Sequence, residues 1–241
     1  MATISPGGRK QLEDLKPTLP HKSRHEGTIS DVSDVVEMEY DDDVTEKVFI
    51  AVRSDIDNDL DVEDDYKEKL REYIHSRNLQ RIKDHLPVTE DEAEELVEEV
   101  REENKDMAVS GGEDVEMFSY NYVELKTMVT AKITRNSGNT QNSALYDQLD
   151  LLDLTEPYDT DKFELLDRNG DVVESQREGV HDVLGDVSGP EETNQALVGY
   201  LKDNLLGMKV SYDVDNKNRG TDEEFSTVNE FVDVVEDPEA E

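Results

Sequence analysis

The sequence predicts an α+β fold, mainly antiparallel β with an inserted helical pair, on three observations. Near the C-terminus Met208, Val210, Tyr212 and Val214 alternate with Lys209, Ser211 and Asp213, the period of a strand with one buried face. Val48, Ile50 and Val52 repeat that period early in the chain, and the run from Met117 to Arg135 repeats it in the middle. Between these stretches the apolar spacing becomes helical: Tyr66, Leu70, Tyr73, Ile74, Arg77 and Ile82 fall close to one face, then Ala93, Leu96, Val97 and Val100 form a second stripe.

Taken in order, residues 1–26 read as a flexible basic arm. Pro6, Gly7, Gly8, Pro17 and Pro20 deny it regular structure, and Arg9, Lys10, Lys16, Lys22 and Arg24 make it cationic ahead of an acidic chain. A single β-rich domain is expected over 27–236, with the helical insertion at about 61–106 and an acidic tail at 237–241. Thr28 to Tyr40 and Glu46 to Arg53 form a first hairpin around Asp41, Asp42 and Asp43. Asp55 to Asp65 reads as a solvated linker. Asp55, Asp57, Asp59 and Asp61 have the alternate spacing of calcium-loop ligands, but Leu60 stands where the sharp-turn glycine belongs and Tyr66 where the bidentate Glu belongs.

Pro87 stops the first helix after Leu86, and Thr89 with Glu92 has the spacing of a capping box that opens the second. Ser110, Gly111 and Gly112 end this excursion. Asn136 to Thr140 is a turn, and Ser143 caps a short helix through Ala144, Leu145, Leu149 and Leu152. Asp167 to Asp171 is a hairpin-type turn, Glu174 to Glu192 is loop-like, and Thr193 to Leu206 is helical. The turn formers from Asp215 to Gly220 then separate the Met208 strand from a last β-rich run, Phe225 to Val235.

The chain has 241 residues, 34% of them hydrophobic, with 62 acidic side chains against 25 basic ones and a formal charge of −37. An acidic excess spread over patterned sequence fits solubility at very high ionic strength, where a Debye length of about 3 Å at 1 M screens self-repulsion. The expected source is a halophilic archaeon or one of its viruses. There is no cysteine, which excludes disulfides, thiolate metal sites and thiol nucleophiles. No apolar run reaches the length of a membrane span, and the N-terminal stretch lacks the apolar core of a signal peptide, so a cytoplasmic or virion-borne protein is expected.

His21, His25, His75, His85 and His181 show no catalytic spacing to carboxylates, and neither a phosphate-cradling glycine loop nor a nucleophile elbow is present. The sequence therefore predicts a non-enzymatic protein without cofactor or metal. The sharper signal is the central strand. Val123, Leu125, Val129, Ala131 and Ile133 share the core parity, while Tyr120, Tyr122, Lys126 and Lys132 share the other, the combination that stacks bases beside a phosphate backbone. Glu124 on that same face fits an ordinary half-exposed strand instead. Lys217 and Arg219 add two cations at the tip of the last hairpin.

The segments Gly27 to Val32, Lys47 to Val52, Asn142 to Leu149, Asp203 to Val210 and Phe225 to Phe231 together resemble the layout of virus-encoded single-stranded DNA-binding proteins. In that family a strand pair opens the domain, a short helix beginning near Ser and Leu follows, and a Leu-Leu-Gly turn leads into a closing hairpin. The likeness covers roughly half the chain and departs from the family in the helical insertion and the sparse cations. It implies an OB-like barrel, where the strand pattern by itself fits a β-sandwich as well.

Two functions follow. In the first, the partner is single-stranded DNA in replication or recombination: Tyr120, Tyr122, Lys126 and Lys132 stack and neutralise it, and Lys217 and Arg219 close over the strand. In the second, the chain is a tail, neck or capsid protein of a halophilic archaeal tailed virus. Its partners are then neighbouring virion subunits, with the basic arm crossing an acidic neighbour. Neither involves a membrane, and both leave homo-oligomerisation open.

Overall fold

The computed structural model describes residues 18–40, 43–103, 107–110, 113–133, 143–152, 154, 180, 184, 189–221 and 224–236. Among them run the strands β1 (Arg24–Val32), β2 (Val36–Tyr40), β3 (Asp43–Asp55), β4 (Met107–Ser110), β5 (Glu113–Glu116), β6 (Tyr122–Thr130), β7 (Lys209–Lys217) and β8 (Phe225–Glu236). The helices are α1 (Asp64–His85), α2 (Glu90–Glu103), α3 (Ala144–Leu151) and α4 (Pro190–Leu205). None of the described helices is long and apolar enough to cross a membrane.

Six strands form one sheet in the order β2-β3-β1-β7-β8, with β6 also on β3. The pairing is antiparallel. Lys22 N donates to Val214 O and Ile29 N to Met208 O, each at 2.9 Å, so the chain at β1 runs opposite to β7. Ile56 N donates to Asn121 O at 2.8 Å and Ala131 N to Glu46 O at 2.9 Å, which does the same for β3 and β6. The α+β, mainly antiparallel class expected from the sequence is the class observed. The sheet is open, since no pairing among the described residues joins β6 to β8.

The first hairpin carries a bulge. Ser33 N bonds Phe49 O at 2.9 Å, and Val36 lies opposite Lys47, so three steps along the first arm match two along β3. β2 thus continues β1 along one edge of β3 with an extra residue between them. At the bulge the Ser33 hydroxyl takes the Phe49 N–H at 2.9 Å, replacing a lost backbone acceptor.

By its internal contacts the chain divides into two compact units. The first comprises Met1–Gly27, Arg53–Leu125 and Tyr212–Asn229. Its core holds Leu70, Ile74 and Ile82 of α1, Ala93 and Val97 of α2, and Leu19, Ile56, Leu60, Tyr212 and Val214. Leu19 corrects the expected extent of the arm. Its N–H donates to Ser226 Oγ at 2.6 Å and its carbonyl accepts from Asn216 Nδ2 at 2.9 Å, so residues 18–26 belong to the fold and β1 begins at Arg24.

Asp55 to Asp61 is likewise built rather than solvated. Asp55 Oδ1 accepts from the backbone N–H groups of Asp57 and Asn58 at 3.0 and 2.9 Å, Asp59 Oδ2 accepts from Asp55 N at 2.9 Å, and Ile56 and Leu60 are buried between them. Asp55 and Asp59 thus serve the turn itself, and Asp57 pairs with Arg71 at 2.8 Å. Among the described residues no group of His, Asp and Glu could hold a metal ion.

The capping box forms as expected: Glu92 N donates to Thr89 Oγ1 at 3.4 Å, while Thr89 N donates to Glu92 Oε2 at 2.8 Å. Replacing Thr89 with Ala is expected to cost about 1 kcal/mol in a urea titration; an unchanged midpoint would show that the cap contributes nothing. The short β4/β5 hairpin, with Ser110 opposite Glu113, was not foreseen beyond its Ser-Gly-Gly turn.

The second unit comprises Thr28–Val52, Lys126–Ser211 and Glu230–Glu241. Ile29, Val48, Ile50, Val129, Leu145, Leu149, Leu197, Leu201 and Met208 make its core. Ser143 caps α3 by accepting from Tyr146 N at 3.2 Å, as its position predicts. α4 starts at Pro190, earlier than the expected Thr193, because proline is well suited to a first helical turn. The expected arm through residue 17, the turn at Asp167 to Asp171 and the tail at 237–241 lie outside the described residues.

Candidate nucleic-acid interface

In the second unit, Phe49 and Ala51 of β3, Asp31 and Ser33 of the first arm and Lys126 of β6 line a recess of about 230 Å³. Phe49 is there because Val48 and Ile50 take the buried parity of β3, which turns the odd positions to the other face. Lys126 follows the same rule on β6, where Leu125 and Thr127 are buried on either side of it. Among the described residues the Lys126 side chain makes no ion pair or hydrogen bond, although the chain holds 62 acidic residues. Lys47, two residues before Phe49, donates to Thr130 Oγ1 at 2.9 Å.

In the first unit, Tyr122 stands half-buried on the same parity of β6 as Lys126. The Arg53 guanidinium lies 4.0 Å from its ring centroid, and Arg53 Nη2 approaches Glu124 Oε2 at 3.7 Å. Glu124, which argued for an ordinary strand face, orients the arginine on the ring. The result is an aromatic surface with a cation already stacked on it.

Tyr120 does not belong to that surface. Residues 117–121 are not strand, so the alternation of β6 does not extend back to Tyr120, and its side chain turns into the first unit with 6% exposure. Its hydroxyl pairs with His75 Nδ1 at 3.1 Å, and the Arg101 guanidinium lies 5.7 Å from its ring. Burial pushes its phenol above the usual range. A ring so enclosed offers no face to a base.

The remaining cations are dispersed. Lys132 is exposed just beyond the end of β6 at Thr130. Lys217 ends β7 and is paired with Asp215, whose carboxyl is held below its ordinary range mainly by that bond. Arg219 is exposed in the turn that follows, and Glu224 closes the turn by accepting from Gly220 N at 2.8 Å. Of the six residues expected at the site, Lys126 and Tyr122 take the expected solvent-side positions on β6. Lys217 is occupied by a neighbour, and Tyr120 is removed.

Comparison with known protein families, curated proteins and solved structures finds no match to this chain. The residue that sequence reasoning missed is Phe49. Its signal was legible in the alternation Lys47, Phe49, Ala51, Arg53, the mirror of the core alternation that was read.

Proposed function

We propose that the chain is a non-enzymatic, salt-adapted single-stranded DNA-binding protein of replication or recombination, built on a partly open OB-type barrel. The strand pairing supports the barrel. With β1 and β2 as one bulged first strand, β3 and β6 are the second and third and β7 and β8 the fourth and fifth. In OB folds the face of the second and third strands binds the oligonucleotide, helped by the loop between the fourth and fifth. Phe49 and Lys126, both of the second unit, lie on those strands.

The observation that carries the reading is Lys126, a half-buried cation with no ionic partner among the described residues, which lines one recess with Phe49 in a protein of charge −37. The whole run from Lys126 to Tyr146 contains no Asp or Glu, while it holds Lys126, Lys132 and Arg135. The segment that Lys126 opens therefore adds cations without adding a carboxylate. High salt suppresses counterion release, so stacking must supply most of the affinity, about 1–3 kcal/mol per base.

The test is fluorescence anisotropy with a labelled single-stranded oligonucleotide in molar KCl. Saturable binding is expected, weakened about tenfold or more by Phe49→Ala, consistent with loss of one stacked base. Lys126→Ala is expected to reduce the slope of log affinity against log salt by about 1. Absence of saturable binding by folded wild type overturns the proposal.

A further inference from the structure

We infer that Asp31 reads the edge of a base stacked on Phe49 and favours bases with an exocyclic amino group over thymine and uracil; this rests on the nucleic-acid reading above. Five residues line the recess, and their polar groups are not equivalent. The Ser33 hydroxyl is committed, donating to Asp34 O at 2.7 Å and accepting from Phe49 N at 2.9 Å. It holds the Phe49 strand in place and has no proton left for a ligand. Asp31 is exposed, and its side chain makes no hydrogen bond or ion pair among the described residues. The recess therefore presents an aromatic surface with one cation and one acceptor that are uncommitted among the described residues.

A carboxylate in such a place repels phosphate, so its productive contact is with a base donor. Cytosine offers its N4 amino group and adenine its N6 amino group, whereas thymine carries an O4 acceptor at the corresponding position. Against O4 the Asp31 carboxylate meets lone pairs without an intervening hydrogen, whereas at position 3 it would accept from the thymine or uracil N3–H, so the contact that selects is the one at position 4. With Asp31 at position 4, Lys126 is left the 2-oxo acceptor, which cytosine, thymine and uracil all carry. The selectivity thus falls on Asp31 alone. Single-stranded nucleic acid leaves that base edge free to be read.

The experiment compares dC, dT and dU homo-oligonucleotides of about 15 nucleotides, within the span of an OB-type site, by anisotropy in molar KCl near neutral pH. The pyrimidines share ring size, and dU separates the edge effect from the thymine methyl. Wild type is expected to bind dC about tenfold more tightly than dT and dU. Asp31→Asn supplies both an acceptor and a donor at an exposed position, and is expected to bring the three affinities within about twofold without weakening dT. Equal wild-type affinities for all three, or a dC preference unchanged in Asp31→Asn, overturn this inference and leave the binding function standing. Failure of wild type to bind any of them overturns both.

Discussion

Lowering the pH from about 6.5 to about 4 in molar salt is expected to destabilise the wild-type fold by about 3 kcal/mol through His25, and a His25→Asn variant is expected to lack that component. His25 is 1% exposed and sits at the centre of a directed chain of hydrogen bonds. Asp61 N donates to Nδ1 at 3.0 Å, which fixes the ring proton on Nε2, and Nε2 faces Ser23 Oγ at 2.7 Å. The Ser23 hydroxyl in turn donates to Pro20 O. A second ring proton would have to go on Nδ1, where it would point at the Asp61 N–H.

Burial without a counter-charge in direct contact lowers the His25 pKa to about 4; the Asp61 carboxylate opposes this more weakly. In the unfolded chain the ring titrates near 6.5. Between those values the unfolded state binds the extra proton, so stability falls as pH falls, and the loss is complete once the folded ring also protonates. Relief of net-charge repulsion acts in the opposite direction, which is why molar salt and subtraction of the variant are needed. Urea titrations of the two proteins at several pH values provide the measurement. Curves that stay parallel down to pH 4.5 would remove His25 as the acid-sensitive group.

The elements that the sequence made legible are those whose burial follows a single period. Val210, Tyr212 and Val214 on β7 and Val123, Leu125 and Val129 on β6 are buried as their alternation demands. The capping residues Thr89 and Ser143 were readable because the cap is a local bond between neighbours in sequence. What escaped depends on non-local partners. Leu19 looks like part of a proline-rich tail, and it is Ser226 and Asn216, distant in sequence, that hold its backbone. Asp55 and Asp59 look like solvated carboxylates until the turn they stabilise is closed. Tyr120 was misplaced for a related reason: parity counts only as far as the strand runs, and β6 starts at Tyr122.

What ends the strand there is a single buried amide, and its removal should be costly. Asn78 on α1 is fully buried; its Nδ2 donates to Phe118 O and its Oδ1 accepts from Phe118 N, both at 2.8 Å. This two-point clamp draws Phe118 out of any strand pairing and onto the helix. Arg71 Nε reinforces it by donating to Tyr120 O at 3.2 Å, and Ile56 N holds Asn121 O at 2.8 Å just before β6 begins. An alanine at position 78 leaves a donor and an acceptor without partners, each costing about 1–3 kcal/mol, and a loss of about 3 kcal/mol is expected for Asn78→Ala. Asn78→Asp should be at least as damaging at neutral pH, because it exchanges the amide donor for a buried charge facing a carbonyl. Amide exchange supplies the local readout: the Phe118 N–H should lose protection beyond the change in global stability. A stability change below about 0.5 kcal/mol with Phe118 still protected would mean that packing of the Phe118 ring, not the Asn78 amide, sets where β6 starts.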